Sequence, residues 1–174
     1  MIQRPLLTIL LCLALAHATP AHSGDYEVAF SPRGNSLQLV LSTIQSAQKS
    51  IRVAAYSFTS NPVAEALRDA YKRGVDVKVV ADKDGNSSRY SAVTFLANQG
   101  VPVRLNGRYP IMHHKFIVVD GMHLQTGSFS YSASAASKNA ENVLVLRDVP
   151  VMVEQYEAEW QRLWEEGEDV KEKY

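Results

Sequence analysis

The stretch His113-His114-Lys115-Phe116-Ile117-Val118-Val119-Asp120-Gly121-Met122-His123-Leu124-Gln125-Thr126-Gly127-Ser128 sets the frame for the rest of the chain. Its β-branched and aromatic run over 115–119 predicts a buried strand. Asp120-Gly121 is a turn signal, and 123–126 predicts the returning strand of a hairpin. Alternate residues of an extended chain share a face, so His113 and Lys115 point one way and His114 the other. An imidazole and an ammonium group therefore stand side by side where the hairpin begins.

Upstream of the hairpin, 51–56 predicts a second buried strand. Asn61-Pro62 opens a helix with Pro in its first turn, Val63, Ala66, Leu67 and Ala70 as its inner stripe, and Gly74 at its end. The β-branched run 75–81 follows. Strand, helix and strand in this order indicate a parallel pair joined by a crossover helix. A further helix is predicted from Asn35, with Leu37, Val40, Leu41 and Ile44 at three-four spacing. Residues 82–89 form a polar loop at the carboxyl end of a strand, where open α/β sheets hold ligands. A short helix over 91–98 closes at Gly100, and 101–105 is a strand. Weak alternation over 27–30 suggests a first strand, and 143–147 reads as the last. Pro150 then opens a final helix with Met152, Tyr156, Leu163 and Trp164 on its inner face. The pattern predicts an α/β fold with a mixed, largely parallel β-sheet flanked by helices on both faces, one domain per chain over 24–165.

The two ends read differently. Residues 1–18 carry one basic residue, Arg4, then an apolar run too short for a membrane span, then Ala16-His17-Ala18. This predicts a cleavable signal peptide cut after Ala18, or alternatively after Ser23, and hence a periplasmic or secreted protein with no stable membrane association after cleavage. Cys12, the only cysteine of the 174 residues, lies inside that segment, so the processed chain would hold no disulfide. Residues 166–174 read as a solvated acidic tail. After removal of 1–18 the balance is 17 basic residues against 18 acidic. Bulk charge does not bind a polyanion here, so any such ligand must be held by a local cluster.

Single residues of the hairpin have bland readings: a polar histidine beside a strand, an aspartate opening a turn, a Gly-Ser bend. Taken together they form H-x-K-x4-D-x6-G-S. This pattern resembles the signature of the phospholipase D superfamily, with His113, Lys115, Asp120, Gly127 and Ser128 at matching positions. Ser130 stands where that signature ends in Asn, and a hydroxyl reaches less far than an amide. Glu141-Asn142 ahead of the strand extends the likeness. The chain after its leader is similar to the small bacterial nucleases of this superfamily that carry one motif per chain.

The resemblance implies the phospholipase D/nuclease fold and a metal-independent phosphodiesterase working through a phosphohistidine. His113 would be the nucleophile, and Lys115, Ser128 and Ser130 would hold the phosphate oxygens. Glu141 would accept from the second ring nitrogen of a histidine. Asp120 belongs to the same motif, with a mainly structural part in the family. No metal and no cofactor are implied, and adjacent strand residues such as His113 and His114 do not reach one ion. One histidine cannot attack and simultaneously protonate the leaving oxygen. Single-motif relatives resolve this as homodimers with the active site at the two-fold axis.

The expected substrate is DNA cleaved without sequence preference, with RNA also open, and the alternative is a phospholipid phosphodiester. Lys83, Arg89, Arg104, Arg108 and Lys138 are candidates for contacting the flanking nucleic-acid backbone. Tyr90, Tyr109 and Tyr131 are candidates either for stacking on bases or for the core. Intact His113, Lys115 and Glu141 speak against a non-catalytic binding module.

Overall fold

The strand that carries Lys115 lies at the middle of the sheet, with its neighbours joined to it in two different ways. In the computed structural model, which describes residues 25–88 and 91–171, the expected signal peptide lies outside the described residues. The strands are β1 (Tyr26–Ser31), β2 (Ser50–Ala55), β3 (Asp76–Asp82), β4 (Val103–Asn106), β5 (Lys115–Val119), β6 (His123–Gly127), β7 (Glu141–Leu146) and β8 (Glu168–Asp169). The helices are α1 (Ser36–Gln45), α2 (Asn61–Lys72), α3 (Ala92–Asn98), α4 (Ala133–Ser137) and α5 (Pro150–Glu165). They form one mixed sheet in the order β1-β7-β6-β5-β2-β3-β4-β8.

The crossover helices α2 and α3 make β2, β3 and β4 parallel, as the strand–helix–strand pattern predicts. The remaining pairings among the described residues are antiparallel, because β5 and β6 are joined by a tight turn and β7, β1 and β8 add from outside. The expected largely parallel sheet is thus corrected: parallel pairing is confined to its β2–β4 part.

Helices cover both faces. On one, α1, α2 and α3 bury Val40, Ile44, Val63, Leu67 and Leu96 against Ile51, Val53, Val79 and Ile117. On the other, α5 packs Val153, Trp160 and Leu163 over Ala54, Val80, Phe116, Val118 and Leu124. Its inner stripe begins at Val153, whereas Met152 is exposed, a correction of one position in the phase of the helix. Trp160 ties the helix down by donating its indole N–H to the Val53 carbonyl at 2.8 Å.

The acidic end is not free along its whole length. β8 pairs with β4, placing Arg104 opposite Asp169 and Leu105 opposite Glu168. Arg104 Nε donates to Asp169 at 2.7 Å, and Lys83 Nζ to Glu168 at 3.1 Å. The expected tail at 166–174 therefore begins as an edge strand. Among the described residues no helix is long and apolar enough to cross a membrane.

Candidate active site

Antiparallel pairing brings alternate chain ends together. The end of β2, the start of β5, the end of β6 and the start of β7 all meet at one end of the sheet. There the structure gathers His113, Lys115, Ser128 and Glu141. Lys115 pairs in register with Ala55 and is only 9 % exposed. Its Nζ donates to the His113 carbonyl at 2.8 Å. Burial pushes its ammonium below the usual lysine value, while the charge of Glu141 pulls the other way.

His113 itself is exposed, one residue ahead of His114 and outside the regular strand. Among the described residues neither ring nitrogen has a hydrogen-bond partner. Its ring contact among the described residues is with Tyr56, at 4.7 Å between centroids. His114 turns toward α5, as alternation predicts, and its Nε2 stands 3.1 Å from Glu159 Oε1.

The Gly-Ser pair is required by close approach to β7. Gly127 has φ +146°, and a Cβ there would fall 2.3 Å from the Asn142 carbonyl oxygen. Ser128 then interlocks with the strand start: its N–H donates to the Asn142 backbone and side-chain oxygens, and its Oγ accepts from the Asn142 N–H at 3.1 Å. The same hydroxyl donates to Glu141 Oε2 at 2.5 Å, and Asn139 Nδ2 donates to Glu141 Oε1 at 3.0 Å. Within one chain Glu141 thus holds Ser128 and Asn139 rather than a histidine, which corrects the expected pairing. Ser130 is half-buried, and its hydroxyl makes no hydrogen bond among the described residues.

Asp120 lies apart from these groups. It sits at the far end of β5, whose five residues rise about 16 Å. There its carboxylate accepts from the backbone N–H of Gln48, Lys49 and Ser50 at 2.7–3.2 Å. It clamps the α1–β2 connection and touches no site residue. Burial alone would raise its carboxyl pKa, but the N–H groups of Ser50, Gln48 and Lys49, with His123 nearby, outweigh this and hold it below the usual value. A lowered folded-state pKa contributes stability that is present above the unfolded value of about 4 and lost as pH falls through the folded one. Asp120→Asn is expected to cost about 1–2 kcal/mol at pH 7, with the difference from wild type shrinking toward pH 3. Urea unfolding at the two pH values checks it; an equal difference at both would contradict the clamp.

The basic candidates divide. Lys83 and Arg104 are held by Glu168 and Asp169, and Arg104 also donates to the Trp164 carbonyl and lies 4.7 Å over its ring. These two fasten β8. Arg108 is exposed and stands 4.0 Å from Glu166. Lys138 is exposed, closes α4 just ahead of Glu141, and has no ion-pair partner among the described residues. Arg89 and Tyr90 lie outside the described residues. Tyr131 is fully buried, with its hydroxyl donating to Gln125 at 2.8 Å, so it belongs to the core. Tyr109 donates to Glu166 at 3.0 Å and packs against Arg162. Tyr56, Asn139 and Asn142 are site residues beyond the predicted set; of these only the Asn beside Glu141 had a sequence signal. Among the described residues no three His, Cys, Asp or Glu groups are placed to hold a metal ion.

A buried ammonium, an unencumbered imidazole and a hydroxyl–carboxylate pair at one sheet end suit an anionic ester. Residues 40–164 match the family model described as cardiolipin synthase, PLD-like domain. The chain belongs to this phospholipase D-like family. A mitochondrial cardiolipin hydrolase of Xenopus laevis is 39% identical over 120 residues, 69% of this chain and 57% of that protein. The chain thus spans little more than half the length of that relative. A phospholipase D of Rickettsia bellii is 31% identical over 156 residues, 84% of this chain and 77% of that protein. Among solved structures, Nuc, a phospholipase D family member from Salmonella typhimurium, is 43% identical and superposes with a TM-score of 0.83, over 85% of this chain and 99% of that one. The eight-stranded mixed sheet flanked by helices is the phospholipase D/nuclease fold.

Proposed function

We propose that this protein is a metal-independent endonuclease that cleaves DNA through a phosphohistidine formed on His113, with RNA left to the assay below. The observation that carries the reading is the gathering at one sheet end of an exposed His113, whose carbonyl accepts from the buried Lys115 ammonium, and of Ser128 bonded to Glu141. In this reading a His113 ring nitrogen attacks phosphorus and the P–O bond to the leaving alkoxide breaks. Lys115 meets the charge on the non-bridging oxygens, and the Ser128 hydroxyl does so once its proton turns from Glu141 to the phosphate. A proton for the alkoxide comes from His113 of a second copy across a two-fold axis. That same imidazole then takes a proton from water as water attacks phosphorus and breaks the P–N bond. The second copy is part of the proposal. The lack of an intrachain hydrogen-bond partner for the His113 ring supports it, since among the described residues no second imidazole faces His113 within one chain.

A surface fit for a second copy lies beside the site. Tyr26, Val28 and Phe30 alternate along the edge strand β1 and are 71%, 50% and 61% exposed. They point away from α1, on the face where α5 covers the strands from β2 to β6 but not β1. Export by the leader at 1–18, to the periplasm or beyond, belongs to the same proposal.

A second reading is hydrolysis of a phospholipid phosphodiester. The relatives named cardiolipin hydrolase and phospholipase D favour it, as does Ile111, 55% exposed in the cleft beside His113. One assay separates the two: single-stranded DNA, duplex DNA, RNA and phosphatidyl-lipid vesicles, side by side in excess EDTA. Nicking of plasmid DNA in EDTA is expected. Activity that disappears on chelation would sink the metal-free mechanism, and turnover of lipid alone would replace the nuclease reading.

A further inference from the structure

The residue packed most closely on the His113 ring has no part in the chemistry above. Tyr56 follows β2 at the site end. Its ring lies 4.7 Å from that of His113, tilted by 59°, and the Lys115 ammonium stands 5.2 Å from the centre of the same ring. One aromatic surface thus touches both groups of the pair, on its ring and not through its hydroxyl, which makes no hydrogen bond among the described residues.

The end of β3 and the turn after it hold this arrangement from two sides. Asp82, 3% exposed, accepts the N–H of Met112, the residue before His113, at 2.7 Å, and the N–H of Gly85 at 2.7 Å. Asn86, also 3% exposed, donates to the carbonyls of Tyr56 and Asp82 and accepts from the N–H of Phe58 at 2.9 Å. A Cβ on Gly85 would stand 3.1 Å from the Tyr56 carbonyl and 3.4 Å from its ring, so the turn passes close against Tyr56. Two buried polar side chains, one ending β3 and one on the short turn after it, therefore grip both chain segments that meet at the imidazole. One is the segment that delivers His113, and the other is the segment that supplies the ring it rests on.

We propose that Tyr56, anchored by Asp82 and Asn86, is a positioning residue that fixes the orientation of the His113 imidazole and keeps the Lys115 ammonium beside it. This rests on the reading of His113 as nucleophile. An exposed histidine with no hydrogen-bond partner samples several staggered rotamers. A face-bearing neighbour restricts it, and the same π face stabilises an adjacent cation. Misplacement of a reacting group by about 1 Å costs on the order of a hundredfold in rate, so the device acts on turnover and not on binding.

The test uses the full chain with Tyr56→Phe, Tyr56→Leu and Asn86→Ala, assayed on plasmid DNA in EDTA, with His113 ring signals followed by NMR. Wild type inactive on DNA overturns the reading of the site before Tyr56 is at issue. Given wild-type activity, Tyr56→Phe is expected to keep kcat within about threefold, whereas Tyr56→Leu and Asn86→Ala lose about 10- to 100-fold in kcat with KM little changed. The ring-current displacement of the His113 signals persists in Tyr56→Phe and disappears in Tyr56→Leu. Tyr56→Met replaces Tyr56→Leu if the latter does not fold. The proposal is overturned by full kcat in the aliphatic variant, by a loss confined to KM, by Tyr56→Phe falling as far as Tyr56→Leu, or by His113 signals that do not respond.

Discussion

Alanine at His113 is expected to abolish turnover, by about 10⁴- to 10⁶-fold in kcat, with the fold unchanged. The size follows from the role: a nucleophile that forms the covalent intermediate has no substitute when it is removed. Stability is spared because the side chain is exposed and its one described ring contact is with Tyr56. Lys115→Ala is expected to be inactive as well, but by another route. It deletes a buried ammonium that accounts for the fixed positive charge among the gathered site residues and leaves the His113 carbonyl without its donor. Mixing the two inactive proteins tests whether one copy of each group is enough. A mixed dimer holds one His113 and one Lys115 in total, half the required set, so little activity returns. Circular dichroism and plasmid nicking on the mixture check both parts. Recovery to half of wild type would mean that one His113 and one Lys115, drawn from different chains, suffice for a site.

Much of this site was legible in the hairpin, and the limits of that legibility are physical. Period-two alternation placed His113 and Lys115 on one side and His114 on the other. The Asp-Gly turn fixed the hairpin, which carries Gly127-Ser128 back to the same sheet end. Crossover helices made β2 to β4 parallel in the way their length requires. Asp120 shows what a motif hides. It recurs at fixed spacing because it clamps the other end of the strand, and spacing alone does not say at which end a residue acts. Glu141 opens β7 beside the hairpin, but its partners within the chain were not legible, because a carboxylate at a strand start takes whichever donors the neighbouring segments present. Here those are Ser128 and Asn139. β8 was invisible because Glu168 and Asp169 are poor strand formers, and their pairing depends on Arg104 and Lys83, far away in sequence. Tyr56 looked like the last residue of a buried strand; only the tertiary approach of the turn after β3 makes it the wall of the site.

The largest effect away from the catalytic residues is expected at the apolar strip of β1. Replacing Val28 and Phe30 with lysine puts four like charges across a two-fold axis in the proposed dimer, two from each chain. Lysine is chosen over glutamate so that a polyanionic substrate is not itself repelled. Both side chains are at least half exposed in the single chain, and removing them from the surface opens no cavity in it. The three strip residues alone are less than the roughly 800 Å² per partner that a stable interface buries, so the uncovered β7 surface and α5 must contribute to the same contact. A protein that becomes monomeric keeps Lys115 and its nucleophile but loses the second imidazole. Loss of a general acid typically slows a reaction about 10²- to 10⁴-fold, and that is the expected drop in kcat. Light scattering, circular dichroism and plasmid nicking on the same samples test this. A folded monomer with full activity refutes the shared site. A variant that stays dimeric and active keeps the shared site but moves its interface off β1.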